Sequence, residues 1–302
     1  MRRSSVLLAA AGLLLAAAAC VWLAGVRTAP APAAASPAAP APAAPSVPPV
    51  AAAASASASA SNLSADRRAD LDRRVAAGDV DAMAELGGII GVCRHYSPIS
   101  AQHIEETVVD GMAAGVEPPL IAGKPVSPEL LVLMLQQGQP ELDRRCAGID
   151  RRQLRDDLDR APALLERAAD AGSVEAMLDY SRYAFAGYGG TDQMLADADE
   201  VARRKEKARA YLRESLRRGD ARALLLLGDA YASGPLEKID PLQAYAYASA
   251  FFQSPAGQEW SPRLRELYLQ ALAQQLDAQQ LIQARENAAQ ISRDFQAGTA
   301  PR

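Results

Sequence analysis

Aromatic residues are scarce: tryptophan, tyrosine and phenylalanine together make up 5% of the 302 residues. The core must therefore be built from small aliphatic side chains, and an aromatic-lined cofactor pocket is not expected, so no cofactor is assigned. Strand-forming residues are sparse, and no run alternates with period two for long enough to argue a strand. Histidine occurs twice and cysteine three times. No basic face or tail stands out at a formal charge of −4 once the N-terminal arginines are set aside, so nucleic acid is not an expected partner. Gly-x-Ser-x-Gly, His-Glu-x-x-His and a phosphate loop are all missing, so no catalytic residue is assigned and the chain is read as non-enzymatic.

What is abundant is alanine, joined by leucine, arginine, glutamine and glutamate, the residues most favourable to helix. An all-α fold is the natural expectation. At the N-terminus two arginines precede an apolar run from Val6 to Val26, 21 residues long. About 20 suffice to cross a bilayer, and the cationic end stays cytoplasmic, which exports the remainder. Residues 1–27 thus read as a signal anchor on the inner membrane with the body on the periplasmic side. A lipoprotein signal competes, because "LAAAAC" ending at Cys20 resembles a lipobox with Cys20 as lipidation site, although Ala17 stands where leucine is usual. The uncleaved anchor is preferred because a secretory h-region is only about 7–15 residues long.

Residues 28–64 hold eight prolines followed by an Ala-Ser alternation. This is a disordered linker, with polyproline II geometry expected in its first half and a reach on the order of 100 Å.

From Ala65 the composition turns charged and periodic, and residues 65–298 read as one helical domain. Capping residues precede proline at Ser127-Pro128, Asp240-Pro241 and Ser261-Pro262, and Asp277 with Gln280 forms a capping-box pattern. Three segments align without gaps: 73–93, 167–187 and 215–234. They start from Gly78, Gly172 and Gly219, each read as a left-handed stop for the preceding helix. Four residues on stand Ala82, Ala176 and Ala223; eight on, Leu86, Tyr180 and Leu227; nine on, Gly87, Ser181 and Gly228. At 100° per residue the fourth and eighth positions share a stripe and the ninth lies on another side, so both sides are expected to touch neighbouring helices.

This grammar, followed by Asp240 and "QAYAYASAFF", resembles Sel1-like repeats, short relatives of tetratricopeptide repeats. Gly219, Ala223, Leu227, Gly228, Tyr231 and Gly234 match well. The middle copy carries Tyr180 and Ser181 in place of leucine and glycine. The first has Ile90 at the tyrosine position and Cys93 at the last glycine. The resemblance implies an α-solenoid, with repeat-like helices near 70–93, 160–217 and 219–253 and capping helices over 261–296. The glycines are spaced by 94 and 47 residues, so insertions interrupt the array. The longest, 94–158, contains candidate helices near 101–114 and 128–136 and a loop, "GVEPPLIAGKPVSPE", without an assigned structure.

Cys93 and Cys146 are the only cysteines beyond the apolar segment, and an exported chain meets an oxidising compartment, so they are expected to form a disulfide. Such a bond is worth about 4 kcal/mol in the chain-entropy model. A zinc site of Cys93, His95, His103 and Cys146 is the alternative, weakened because Cys-x-His lacks paired ligand spacing; no metal is assigned. The basic run 202–209 reads as an exposed helix side, Glu105-Glu106 and Asp156-Asp157 as solvated acidic pairs, and Tyr245, Tyr247, Phe251, Phe252 and Trp260 as core rather than binding surface.

Tether, linker and repeats together point to a membrane-anchored periplasmic scaffold or regulator that binds unidentified envelope proteins in a groove between stacked hairpins. The alternative is a peptidoglycan- or carbohydrate-binding protein, or a hydrolase accessory, of the cell envelope.

Overall fold

A computed structural model describes residues 66–94, 96–150, 152, 154, 157–234 and 236–298. The expected anchor, the linker, Cys20 and His95 lie outside these residues. Among the described residues no helix is long and apolar enough to cross a membrane.

The described chain is almost entirely helical. Helix α1 covers 66–76; α2 is Val80–Cys93, α3 Ile104–Ala113, α4 Pro128–Cys146, α5 Arg160–Asp170 and α6 Val174–Tyr183. Then follow α7 (Thr191–Ala196), α8 (Ala198–Arg217), α9 (Arg222–Ser233), α10 (Pro241–Gln253), α11 (Pro255–Gln258), α12 (Pro262–Ala273) and α13 (Ala278–Gln296).

Local chemistry sets the boundaries. Gly78, Gly172 and Gly219 have φ of 86°, 98° and 78°, the left-handed conformation in which a helix ends cheaply only on glycine. Ser127, Asp240 and Ser261 accept backbone N–H bonds at the starts of α4, α10 and α12, each with proline in the first turn. Asp277 and Gln280 close a reciprocal capping box on α13.

Consecutive helices pack on one another. Helix α2 lies against α5 and α6, α5 against α6, α6 against α8 and α9, α8 against α9, α9 against α10, and α10 against α12 and α13. The pairs α2/α5, α6/α8 and α9/α10 are therefore hairpin arms, the first interrupted by the segment 94–158.

That segment differs from expectation in two ways. Its second helix runs to Cys146 rather than stopping near 136, despite Pro140 inside it. Leu131, Leu135, Gly138, Leu142 and Cys146 continue one buried stripe at steps of three and four, and burying that stripe outweighs the backbone hydrogen bond lost at Pro140. The unassigned loop contains a hairpin: β1 (Leu120–Ile121) pairs antiparallel with β2 (Lys124–Pro125). Its turn residues Ala122 and Gly123 have φ of 49° and 79°, consecutive left-handed residues that suit a two-residue hairpin turn. Two-residue strands leave no periodic signal.

Candidate functional site

The segment 94–158 packs against the helices on either side of it in the sequence. Helix α4 packs against α2 and α12, α3 packs on α4, and β1 touches α9. Hydrogen bonds span the same distance: Glu129, in the first turn of α4, accepts from Arg263 of α12 at 2.8 and 3.0 Å, while Arg145 near its last turn donates to Asp179 of α6 at 2.7 Å. Cys146, the last residue of α4, is bonded to Cys93, the last residue of α2, with Cα atoms 5.4 Å apart. One helix of the insertion thus joins the first hairpin to the C-terminal helices.

Two enclosed carboxylates mark this face. Asp179 is completely inaccessible, and it accepts hydrogen bonds from Arg145 Nη2 at 2.7 Å and from Arg182 Nη1 at 3.0 Å. Burial alone would raise its pKa, but the charges of Arg145 and Arg182 outweigh that cost and hold it below the usual carboxylate range. Gly88 of α2 makes the pair possible, because a Cβ there would collide with Arg145 Nη2 and Asp179 Oδ2. Neighbouring Gly91 likewise leaves room for the Tyr183 ring.

Asp229 of α9 is the contrast. It lies deep in the protein but keeps accessible surface, and it lines a cavity of about 200 Å³. The walls come from the insertion (Ile121, Val126, Met134), from α6 (Ser181, Arg182), from α9 (Leu226, Ala230) and from α12 (Tyr268). Tyr268 Oη donates a hydrogen bond to Asp229 Oδ1. Among the described residues no cation forms an ion pair with Asp229. Burial pushes its pKa up to about 6, while the Tyr268 hydrogen bond and the charge of Arg182 pull the other way. Tyr268 itself titrates well above the ordinary phenol, chiefly through burial and secondarily through the Asp229 charge.

The residues singled out in the sequence fall as follows. Ala82, Ala176 and Ala223 are fully inaccessible, as are Leu86 and Tyr180, while Leu227 is buried near the surface. Gly87 and Gly228 occupy equivalent contacts: a Cβ on Gly87 would sit 2.7 Å from Leu165 Cγ of α5, and one on Gly228 would sit 3.2 Å from Ala248 N and 3.3 Å from Ala244 O of α10. Each lets the second arm of its own hairpin approach. Tyr231 stacks on Tyr247 with ring centroids 5.8 Å apart, and Gly234 turns tightly against Ala230.

Cys93 and Cys146, being disulfide-bonded, offer no thiolate to a metal, and among the described residues no group of three or more His, Cys, Asp or Glu side chains is placed to hold one. His103 sits at the start of α3, its Nδ1 within hydrogen-bond distance of Ser100 Oγ. Tyr245, Tyr247, Phe251, Phe252 and Trp260 are all buried, and Phe252 makes edge contacts with Trp260 and Tyr268. Four of the five cations in the basic run form ion pairs: Arg203 with Glu166 and Glu200, Arg204 with Glu200, Lys207 with Glu166 and Asp170, and Arg209 with Glu206 and Glu237.

Sequence reasoning passed over Gly88, Asp179, Arg182 and Asp229. The available signal was a charged residue set into an apolar helix, as in "LLLLGDAYA". No family model matches the chain, and neither does any curated protein or solved structure.

Proposed function

We propose that the chain is a membrane-tethered periplasmic α-solenoid of Sel1-like hairpins that acts as a protein-interaction scaffold or regulator, without catalysis. The observation that carries the reading is the repeated contact of one hairpin arm on the next. Helices α2/α5, α6/α8 and α9/α10 pair and then stack in order, with Gly87 and Gly228 at matching arm-to-arm contacts. Stacked hairpins of this kind bury their small residues internally and present a long continuous face to a partner.

The face differs from the empty groove the sequence suggested, since α4 and the β1–β2 hairpin lie on it. A partner therefore meets the outer side of the insertion, where Val109 and Leu120 are 56% and 53% exposed. The alternative is a peptidoglycan or carbohydrate binder; the aromatic cluster of Tyr245, Tyr247, Phe251, Phe252 and Trp260 is buried and would not stack on sugar rings.

The test is site-specific photocrosslinking in intact cells. A photoreactive residue at Val109 or Leu120 should capture the same envelope protein, and one at Ile282 on α13 should not. Equal capture from all three positions, or none from the first two, overturns the reading. Cosedimentation of the full-length protein with purified sacculi would instead favour the cell-wall alternative.

A further inference from the structure

We propose that the cavity beneath the β1–β2 hairpin is a binding site for a primary ammonium group carried on a short unbranched hydrocarbon chain. The inference goes beyond the scaffold reading and does not depend on it. Its starting point is the carboxylate of Asp229, which lines the cavity. Oδ1 takes a hydrogen bond from Tyr268, while among the described residues Oδ2 takes none and no cation forms an ion pair with either oxygen. A carboxylate enclosed in protein is ordinarily paired, because losing hydration is costly unless another charge replaces it. Asp179, on the neighbouring helix α6, shows how this chain pairs one when structure is the only demand. Arg182 does not fill that role at Asp229. Its guanidinium is paired with Asp179 at 3.0 Å, and its charge is the weakest influence on Asp229, where burial prevails and holds the pKa up at about 6. A counter-charge is left for a ligand to bring.

The other walls narrow its chemistry. Ile121, Val126, Met134 and Leu226 are apolar, which suits a charge arriving at the end of a hydrocarbon chain. A bare metal ion would need several oxygen ligands, and among the described residues no group of three or more His, Cys, Asp or Glu side chains is placed to supply them. A guanidinium grips both oxygens of a carboxylate at once, whereas here Tyr268 occupies one; a compact ammonium needs only the other. At about 200 Å³ the cavity lies below the roughly 300–1,000 Å³ usual for drug-sized ligands, which suits an alkyl chain better than a ring system. Exposed Leu120 and Ser233 also line it, so it is reached from the surface. A free alkylamine and the lysine side chain of a peptide carry the same group, and this route admits either.

Among the described residues, the titratable groups acting on Asp229 are Tyr268 from α12 and Arg182 from α6. Binding of the ammonium needs Asp229 ionised, so affinity should fall as pH drops through about 6.

Isothermal titration of full-length protein in a non-ionic detergent, near neutral pH, tests the assignment. n-Butylamine, charged under these conditions, should bind, and 1-butanol, its neutral counterpart, should bind at least about tenfold more weakly. Nα-acetyl-lysine amide separates the two sources: binding as tight as that of n-butylamine, lost when Nε is acetylated, assigns a lysine side chain, and weaker binding assigns a free amine. Asp229→Asn should weaken n-butylamine by at least about tenfold. No binding of n-butylamine at millimolar concentration, equal binding of 1-butanol, or unchanged n-butylamine affinity in a folded Asp229→Asn protein would overturn the proposal. If that variant does not fold, the comparison of amine with alcohol on the unmodified chain decides alone.

Discussion

Two aspartates on one face, Asp179 and Asp229, meet the same physical problem and receive opposite treatments. At Asp179 the insertion delivers Arg145 from α4, α6 supplies Arg182, and α2 gives up a side chain at Gly88 to make room. At Asp229 the protein supplies a tyrosine hydroxyl and an opening. The first region is built to hold: a disulfide and a largely buried ion cluster fasten α4 to α2 and α6. The second holds itself by aromatic and small-residue packing between α9, α10 and α12, and leaves Asp229 with one hydrogen bond and the charge of Arg182 but no ion pair among the described residues. An unpaired charge weakens the folded state, so its presence beside a cavity argues for a role other than stability.

The comparison breaks most sharply at the clamp. Asp179→Ala leaves Arg145 and Arg182 enclosed without the carboxylate they share, and chemical denaturation should register a loss on the order of 3–5 kcal/mol. A loss under about 1 kcal/mol would mean the cluster is not enclosed as described. Opening the Cys93–Cys146 bond, by reductant or by Cys93→Ser, frees a loop of 53 residues and should cost about 4 kcal/mol in the chain-entropy model. Alkylation of the protein should label neither of these two thiols until reductant is added.

Asp229 sharpens the contrast by moving the other way. Its folded pKa of about 6 lies above the 3.8 of an ordinary aspartate, so its favourable contribution is complete below the lower value and is lost as pH rises through the upper one. The loss amounts to at most roughly 3 kcal/mol. Asp229→Asn should therefore raise the melting temperature near pH 7.5, with the gain disappearing near pH 4. Equal melting shifts at both pH values would contradict an uncompensated carboxylate.

Smaller effects belong to the two small-residue contacts. At Gly228 an added methyl would sit 3.2–3.3 Å from backbone atoms of α10, and at Gly87 it would sit 2.7 Å from Cγ of the fully buried Leu165. Gly87→Ala and Gly228→Ala should each cost about 1–3 kcal/mol by overpacking. Least of all, Arg263→Ala removes a surface pair with Glu129, both partners about half exposed, and should leave thermal melts unchanged.

Much of the helical framework was legible. Left-handed glycines, proline-led caps and the capping box are local signals, written within four residues of where they act, and they place the starts of α4, α6, α9, α10, α12 and α13 to within a turn. The spacing of small residues showed which sides of α2 and α9 would be crowded. The face was less legible. That α4 would lie against both α2 and α12 depends on contacts across tens of residues on one side and more than a hundred on the other, and the Glu129–Arg263 pair is separated by 134. The role of Gly88 emerges only where Arg145 and Asp179 arrive from other helices. Cys93 and Cys146 were the exception, because they are the only cysteines beyond the N-terminal apolar run and the choice of partner is limited.

The account stands on the insertion being fixed to the hairpins rather than draped beside them. Hydrogen exchange of the full-length protein, resolved along the chain, measures this directly. Amides over 131–142 in α4 should exchange as slowly as those over 224–232 in α9, and adding reductant should speed the former far more than the latter. Rapid exchange throughout α4 in the oxidised protein, with α9 still protected, would contradict it.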